Sequence, residues 1–210
     1  EAIKRSVLCA FCKYSSVYPE QIASVKFHEK CVKSYSAKQM RYLFLERRLQ
    51  LVSPAMLVHR SVCEEIRYNE ACPYDEDIYF IWQVLFVCDS FAFIDGNYYL
   101  YVTRKTSSVH TLTGEKYLAT SKQYQQLEND LIASYPEMRL FIKRIHPKYR
   151  LGGLHVLAKS TCFSKFRDVV YRDGYRKDMF RLIFQPNIVL SVYALTYCLS
   201  LRLFFYLSKF

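Results

Sequence analysis

The sequence predicts an α/β unit over residues 1–110 followed by a mainly helical, basic extension over residues 111–210. Three observations predict it. First, the stretch from Cys72 to Ser108 packs an acidic run, an apolar helix pattern and two aromatic, β-branched runs into one continuous segment. Second, beyond Ser108 the apolar residues recur at helical spacing and strand signals disappear. Third, the net charge of +11 is confined to the end of the chain: residues 1–138 hold 16 Lys and Arg against 16 Asp and Glu, and residues 139–210 hold 14 against 3.

Taken in order, residues 2–18 read as a strand or a short strand pair closed by Pro19. From Glu20 to about Gln50 the pattern is helical, with Met40, Leu43, Phe44 and Leu45 on the apolar side and Arg47-Arg48 on a solvated one. Pro54 marks a first turn or a strand end. Tyr74-Asp75-Glu76-Asp77 then heads IYFIWQVLFV, whose apolar residues cover every side of a 3.6-residue period, which predicts a helix buried all round. Carboxylates at that end are favoured by the helix dipole and by its free N–H groups. FAFID and YYLYVTR flank Gly96-Asn97 and predict two strands joined by a tight turn, with Arg104 and Lys105 leaving the second.

In the extension, Thr111 to Gly114 is turn-like, and Tyr117, Tyr124, Leu127 and Leu131 share one face of a helix ending at Tyr135-Pro136. A second helix from Glu137 stops at His146-Pro147, and Gly152-Gly153 marks a turn or a close approach. Amphipathic basic helices follow, broken near Gly174. The 14 uncharged residues from Ile188 to Leu201 precede Arg202, too short a run to span a bilayer, so they lie in a membrane interface or pack against the domain.

A hydrophobic content of 51%, with 19 Tyr and 15 Phe, excludes a disordered chain. The sequence opens on Glu1 without a signal peptide, and we expect it to be a piece of a longer protein. Eight scattered cysteines, several inside apolar runs, fit a reducing compartment rather than a secreted disulfide framework. Cys9, Cys12, His28 and Cys31 have the residue types of a zinc site, but VLCAFC lacks turn chemistry between its thiols and reads as a buried strand. His59 and His110 have no identifiable partners and read as core or surface residues. The basic extension is interleaved with long aliphatic runs, which argues for an anionic membrane surface as partner and against nucleic acid.

Glu76-Asp77, Ile94-Asp95, Tyr98-Tyr99-Leu100-Tyr101 and Arg104 to Ser107 follow the order and spacing of a known pattern: an acidic pair heading a helix, a strand ending in Ile-Asp, then Tyr-Tyr-x-Tyr-x-x-Arg-x-x-Ser. In this the chain resembles the inverting family 2 glycosyltransferases of GT-A (Rossmann-like) fold, over about residues 49 to 110, with LQLVSPAMLVHRSVCEEI upstream included. The resemblance implies the C-terminal, acceptor-side part of such a domain. It implies a nucleotide-diphospho-sugar as donor, a saccharide or lipid-linked acceptor, and a place in cell-surface polysaccharide or glycolipid synthesis on the cytoplasmic, inner face of the cell membrane.

By the same resemblance Asp77 is the catalytic base, Glu76 binds or orients acceptor hydroxyls, and Arg104 offsets the charge of the diphosphate. Trp82 and the tyrosines near residues 98 to 101 could stack on sugar faces. Each has a plainer reading: a charged helix start for Asp75, Glu76 and Asp77, a strand end in solvent for Arg104, and core packing for the aromatics. A divalent cation, Mg or Mn, is expected for the full-length enzyme. Asp75-x-Asp77 matches the family's metal motif by letter, but only 74 residues precede it and they hold no nucleotide-binding half. The metal ligands are therefore expected mostly outside this chain, and the chain alone is expected to be inactive. The rival reading is a non-catalytic membrane-surface or assembly module.

Overall fold

Strand β1 (Cys9–Val17) and strand β4 (Ser90–Val102) form the parallel centre of a mixed four-stranded sheet in the computed structural model. The structure describes residues 2, 5–25, 31–70, 72, 75–104, 113–173 and 179–210. Strand β2 (Val32–Ser36) runs antiparallel on the outer side of β4, and β3 (Met56–Val58) antiparallel on the outer side of β1, giving the order β2-β4-β1-β3. The chain divides into two compact units, Glu1–His110 and Thr111–Phe210.

In the first unit helix α1 (Ala37–Leu45) and, after the short α2 (Arg60–Glu65), helix α3 (Glu76–Val87) supply the apolar cover. Tyr79, Phe80, Ile81, Trp82, Val84, Leu85 and Phe86 of α3 are all buried, so the all-round apolar pattern does correspond to a helix sunk in the core. The α1–α3 contact centres on Phe44 and Trp82, whose ring centroids lie 4.9 Å apart. Arg41 closes the end of α3: its Nε donates to the carbonyl of Leu85 at 2.6 Å and its Nη2 to that of Phe86 at 3.2 Å, with the guanidinium 4.3 Å from the Phe86 ring. A buried arginine thus satisfies two of the carbonyls a helix terminus leaves open.

Two sequence expectations in this unit are corrected. The tight hairpin at Gly96-Asn97 is one continuous strand, because β1 runs beside it all the way to the Val17–Val102 pair and gives YYLYV a partner. The glycine signal belongs to a bulge: Cys12 pairs with Ile94, Lys13 with Asn97 and Tyr14 with Tyr99, leaving surplus residues on β4. The helix from Glu20 to Gln50 is in fact a 3-10 turn (Pro19–Ser24), strand β2 and a nine-residue α1. Ser36 restarts the chain as a helix, accepting from the N–H of Gln39 while the Gln39 side chain returns to the Ser36 N–H.

The second unit is helical: α4 (Gly114–Ser134), α5 (Arg139–Ile142), α6 (Ile145–Ser160), α7 (Phe163–Asp173), α8 (Ile188–Leu199) and α9 (Leu201–Leu207). His146-Pro147 starts α6 rather than stopping a helix, since proline fits the first turn, where its missing N–H costs nothing. Gly152-Gly153 lies inside α6 and marks close packing: a Cβ on Gly153 would stand 2.9 Å from the side chain of Leu118 in α4. Gly114 is tighter still, with a Cβ there running into the backbone of Leu157.

The apolar tail has two apolar faces. Leu190, Ala194, Tyr197, Leu201, Phe204 and Phe205 enter the core of the unit, alongside Leu154, Phe166 and Leu182. Ile188, Val192, Leu195, Leu199, Leu203 and Tyr206 point outward and are exposed. Among the described residues no helix is long and apolar enough to cross a membrane. Tyr74, Lys105 to His110, Thr111, Leu112, Gly174 and His28 lie outside the described residues.

Candidate active site

The first turn of α3 is built without a side-chain cap. Asp75, at the N-cap, takes a left-handed conformation (φ 59°, ψ 25°), and its side chain makes no capping bond. The plain capping role therefore fails for Asp75, although Glu76 and Asp77 still stand in the first turn, where the dipole favours negative charge. Glu76 is exposed.

Asp77 is half-buried, and its Oδ1 accepts from the N–H of Ile78 at 2.8 Å. Burial pushes its carboxyl pKa above the ordinary 3.8, the Ile78 N–H pulls it back, Glu76 next door adds to the rise, and the backbone N–H of Ser53 pulls it back again. Ser53 opens a 3-10 turn (Ser53–Ala55) leading into β3, so the edge of the sheet and the start of α3 meet at this carboxylate. Tyr14 of β1 also senses it: burial first, then Tyr101, then Asp77 raise the phenol above its usual value and keep it protonated. The Tyr14 and Tyr101 rings lie 6.3 Å apart, and the Tyr14 hydroxyl lies 3.3 Å from Oε1 of Gln50. The arrangement is a carboxylate of raised basicity within electrostatic range of a protonated phenol whose hydroxyl is turned to Gln50.

Arg104 lies exposed just past β4, where Thr103 donates to the carbonyl of Val17 at 2.8 Å and ends the pairing. Trp82 is a correction. Its side chain is 0% exposed and packed on Phe44, so it has no face to offer a sugar; as residue seven of a helix buried all round, it belongs to the core. Asp95, the Asp of the Ile-Asp element, is gripped by Lys13 and by Lys33 at 3.4 Å, and the Lys13 ammonium chiefly holds its carboxyl below the usual range. His59 is a surface cap, its Nδ1 accepting from the Ser61 N–H at 3.3 Å.

A cation would need converging carboxylates, and the described residues bring no three His, Cys, Asp or Glu side chains together. The nearest candidates fail on geometry: Asp75 is turned into a left-handed cap, and Asp77 is occupied by backbone N–H groups that repel a cation. Cys9 and Cys12 lie three residues apart on β1, facing opposite sides of the sheet, which is no chelating arrangement. All eight cysteines are free thiols.

Sequence reasoning missed Tyr14, Gln50 and Ser53. The link of Ser53 and Tyr14 to Asp77, and of Gln50 to Tyr14, depends on the parallel pairing of β1 with β4 and on the placing of the 3-10 turn, and no local spacing encodes either. Compared with known proteins, the chain matches no family model and no curated protein.

Proposed function

We propose that this chain is the acceptor side of an inverting glycosyltransferase of the family 2 type, moving a sugar from a nucleotide-diphospho-sugar to an acceptor hydroxyl in cell-surface polysaccharide or glycolipid synthesis. The observation that carries the reading is Asp77. It combines the Glu-Asp position of the sequence pattern with a half-buried carboxyl whose pKa is raised, the property a general base requires. A GT-A fold for the whole enzyme is part of the proposal, supported by a parallel strand pair with the acidic helix running directly into one of its members.

In the proposed step the Asp77 carboxylate takes the proton of the acceptor hydroxyl as that oxygen attacks the anomeric carbon. The bond from that carbon to the diphosphate oxygen breaks, and the nucleoside diphosphate leaves with the electron pair, inverting the centre. Glu76, exposed beside Asp77, orients acceptor hydroxyls, and Arg104 offsets diphosphate charge. On this reading the divalent cation that the resemblance implies is held outside the described residues, which bring no three candidate ligands together, and no step is assigned to it here. The test is transfer by the intact enzyme, including the donor-binding half. Asp77→Asn should lower turnover by about two to four decades with donor affinity little changed, and near-normal turnover would remove Asp77 as the base.

A second reading, attachment to the inner face of the cell membrane with or without catalysis, is favoured by the outward apolar face of α8 and α9. That face stands in a unit holding nearly all of the chain's excess positive charge. An anionic bilayer satisfies both features at once.

A further inference from the structure

The loop after α1 and the middle of β1 border a cavity of about 250 Å³ lined by Lys13, Tyr14, Arg47, Arg48, Leu49, Gln50 and Phe93. Three of these seven residues are cations, two are neutral and polar, and two are apolar. The anions nearest them are already engaged: Asp95 lies between Lys13 and Lys33, and Glu46 lies 3.4 Å from Arg48. Three lining cations stand against these two anions, neither of which lines the cavity itself, so the lining is positive. Arg47 has no ion-pair partner among the described residues and is exposed. A Tyr hydroxyl and a Gln carboxamide, 3.3 Å apart, complete a lining rich in donors.

The backbone at Arg47 is unusual in the same direction. Arg48 N–H donates to the Leu43 carbonyl at 2.9 Å and Arg47 N–H to the Phe44 carbonyl at 3.2 Å, closing α1 with a left-handed residue (φ 57°) at the position where glycine is normally found. An arginine is held there against its backbone preference, and the result is a guanidinium at the rim of the cavity.

We infer that this cavity binds a phosphate or diphosphate group. Cations converging from a strand and from a loop, with neutral donors between them, suit a compact anion with several oxygens better than a single carboxylate or an extended polyanion. The inference goes beyond the transferase reading, in which diphosphate contact falls to Arg104. Only the source of the phosphate, a nucleoside diphosphate or the phosphate of a lipid-linked acceptor, rests on that reading.

The test is titration of the chain with inorganic pyrophosphate, followed by calorimetry, for the parent and for Arg47→Gly and Arg48→Gln. Glycine adopts the left-handed conformation freely, so Arg47→Gly removes the guanidinium while keeping or raising the melting temperature. Each variant should weaken pyrophosphate binding about five- to tenfold, the loss of one charge-assisted contact. Displacement of pyrophosphate by uridine diphosphate or by a short-chain isoprenyl phosphate identifies the source, and either result supports the site. Absence of pyrophosphate binding, or binding unchanged in both folded variants, overturns it. Neither outcome bears on the Asp77 test.

Discussion

Asp77 is a carboxylate kept from easy ionisation by burial and yet steadied by the N–H groups of Ile78 and Ser53. Because its folded-state pKa lies above the unfolded value, the folded chain binds more protons between the two values, and stability falls as pH rises through that window. Asp77→Asn, which keeps the oxygen that accepts from Ile78, should therefore raise the melting temperature at pH 7. The gain should shrink toward zero below the ordinary pKa of 3.8, which thermal melts at the two pH values would show. A stabilised but inactive variant is the expected signature of a functional carboxylate, while equal melting at both pH values would deny the burial effect. The Glu76-Asp77 pair was legible in the sequence because its signal is local, three carboxylates before an apolar run. Tyr14 was not, because KYSSV carries no mark of the strand about 85 residues away that lies beside it.

At the scale of elements, α3 was readable and the pairing of strands was not. A helix apolar on every side can only be buried, so IYFIWQVLFV left one option. Gly96-Asn97 left two, a turn or a bulge, and the choice was made by β1, whose length decides how far β4 must continue. The same dependence on neighbours governs stability. Arg41→Met should remove the donors to the Leu85 and Phe86 carbonyls, leave both buried, and lower unfolding free energy by about 2 to 4 kcal/mol in denaturant titration. A change below about 0.5 kcal/mol would mean that water replaces the guanidinium. In the second unit, Gly114→Ala must separate α4 from α6, because the new methyl would meet the Leu157 backbone rather than a flexible side chain. About 3 kcal/mol is expected, against a smaller cost for Gly153→Ala, whose nearest obstacle is the movable tip of Leu118.

At the scale of the whole chain, the composition announced a basic, apolar C-terminal half, but the sequence left the tail's two destinations open; the structure packs one face into the second unit and leaves the other exposed. Residues such as Tyr197 and Phe204 are 0% exposed and hold the second unit together, so removing the tail after Gln185 should unfold that unit rather than merely detach it. The outward face is tested instead by Leu195→Glu with Leu199→Glu. The parent should sediment with vesicles rich in anionic lipid at low salt and release as salt rises, and the double variant should stay in solution with its melting temperature little changed. Equal sedimentation of both would assign the face to something other than lipid. The central claim concerns chemistry, and one measurement reaches it most directly: the rate and anomeric configuration of the glycoside formed by the intact enzyme and by its Asp77→Asn variant. The account predicts a product inverted relative to the donor and a loss of two to four decades in the variant; a retained anomer, or a variant that turns over at the parent rate, would contradict it.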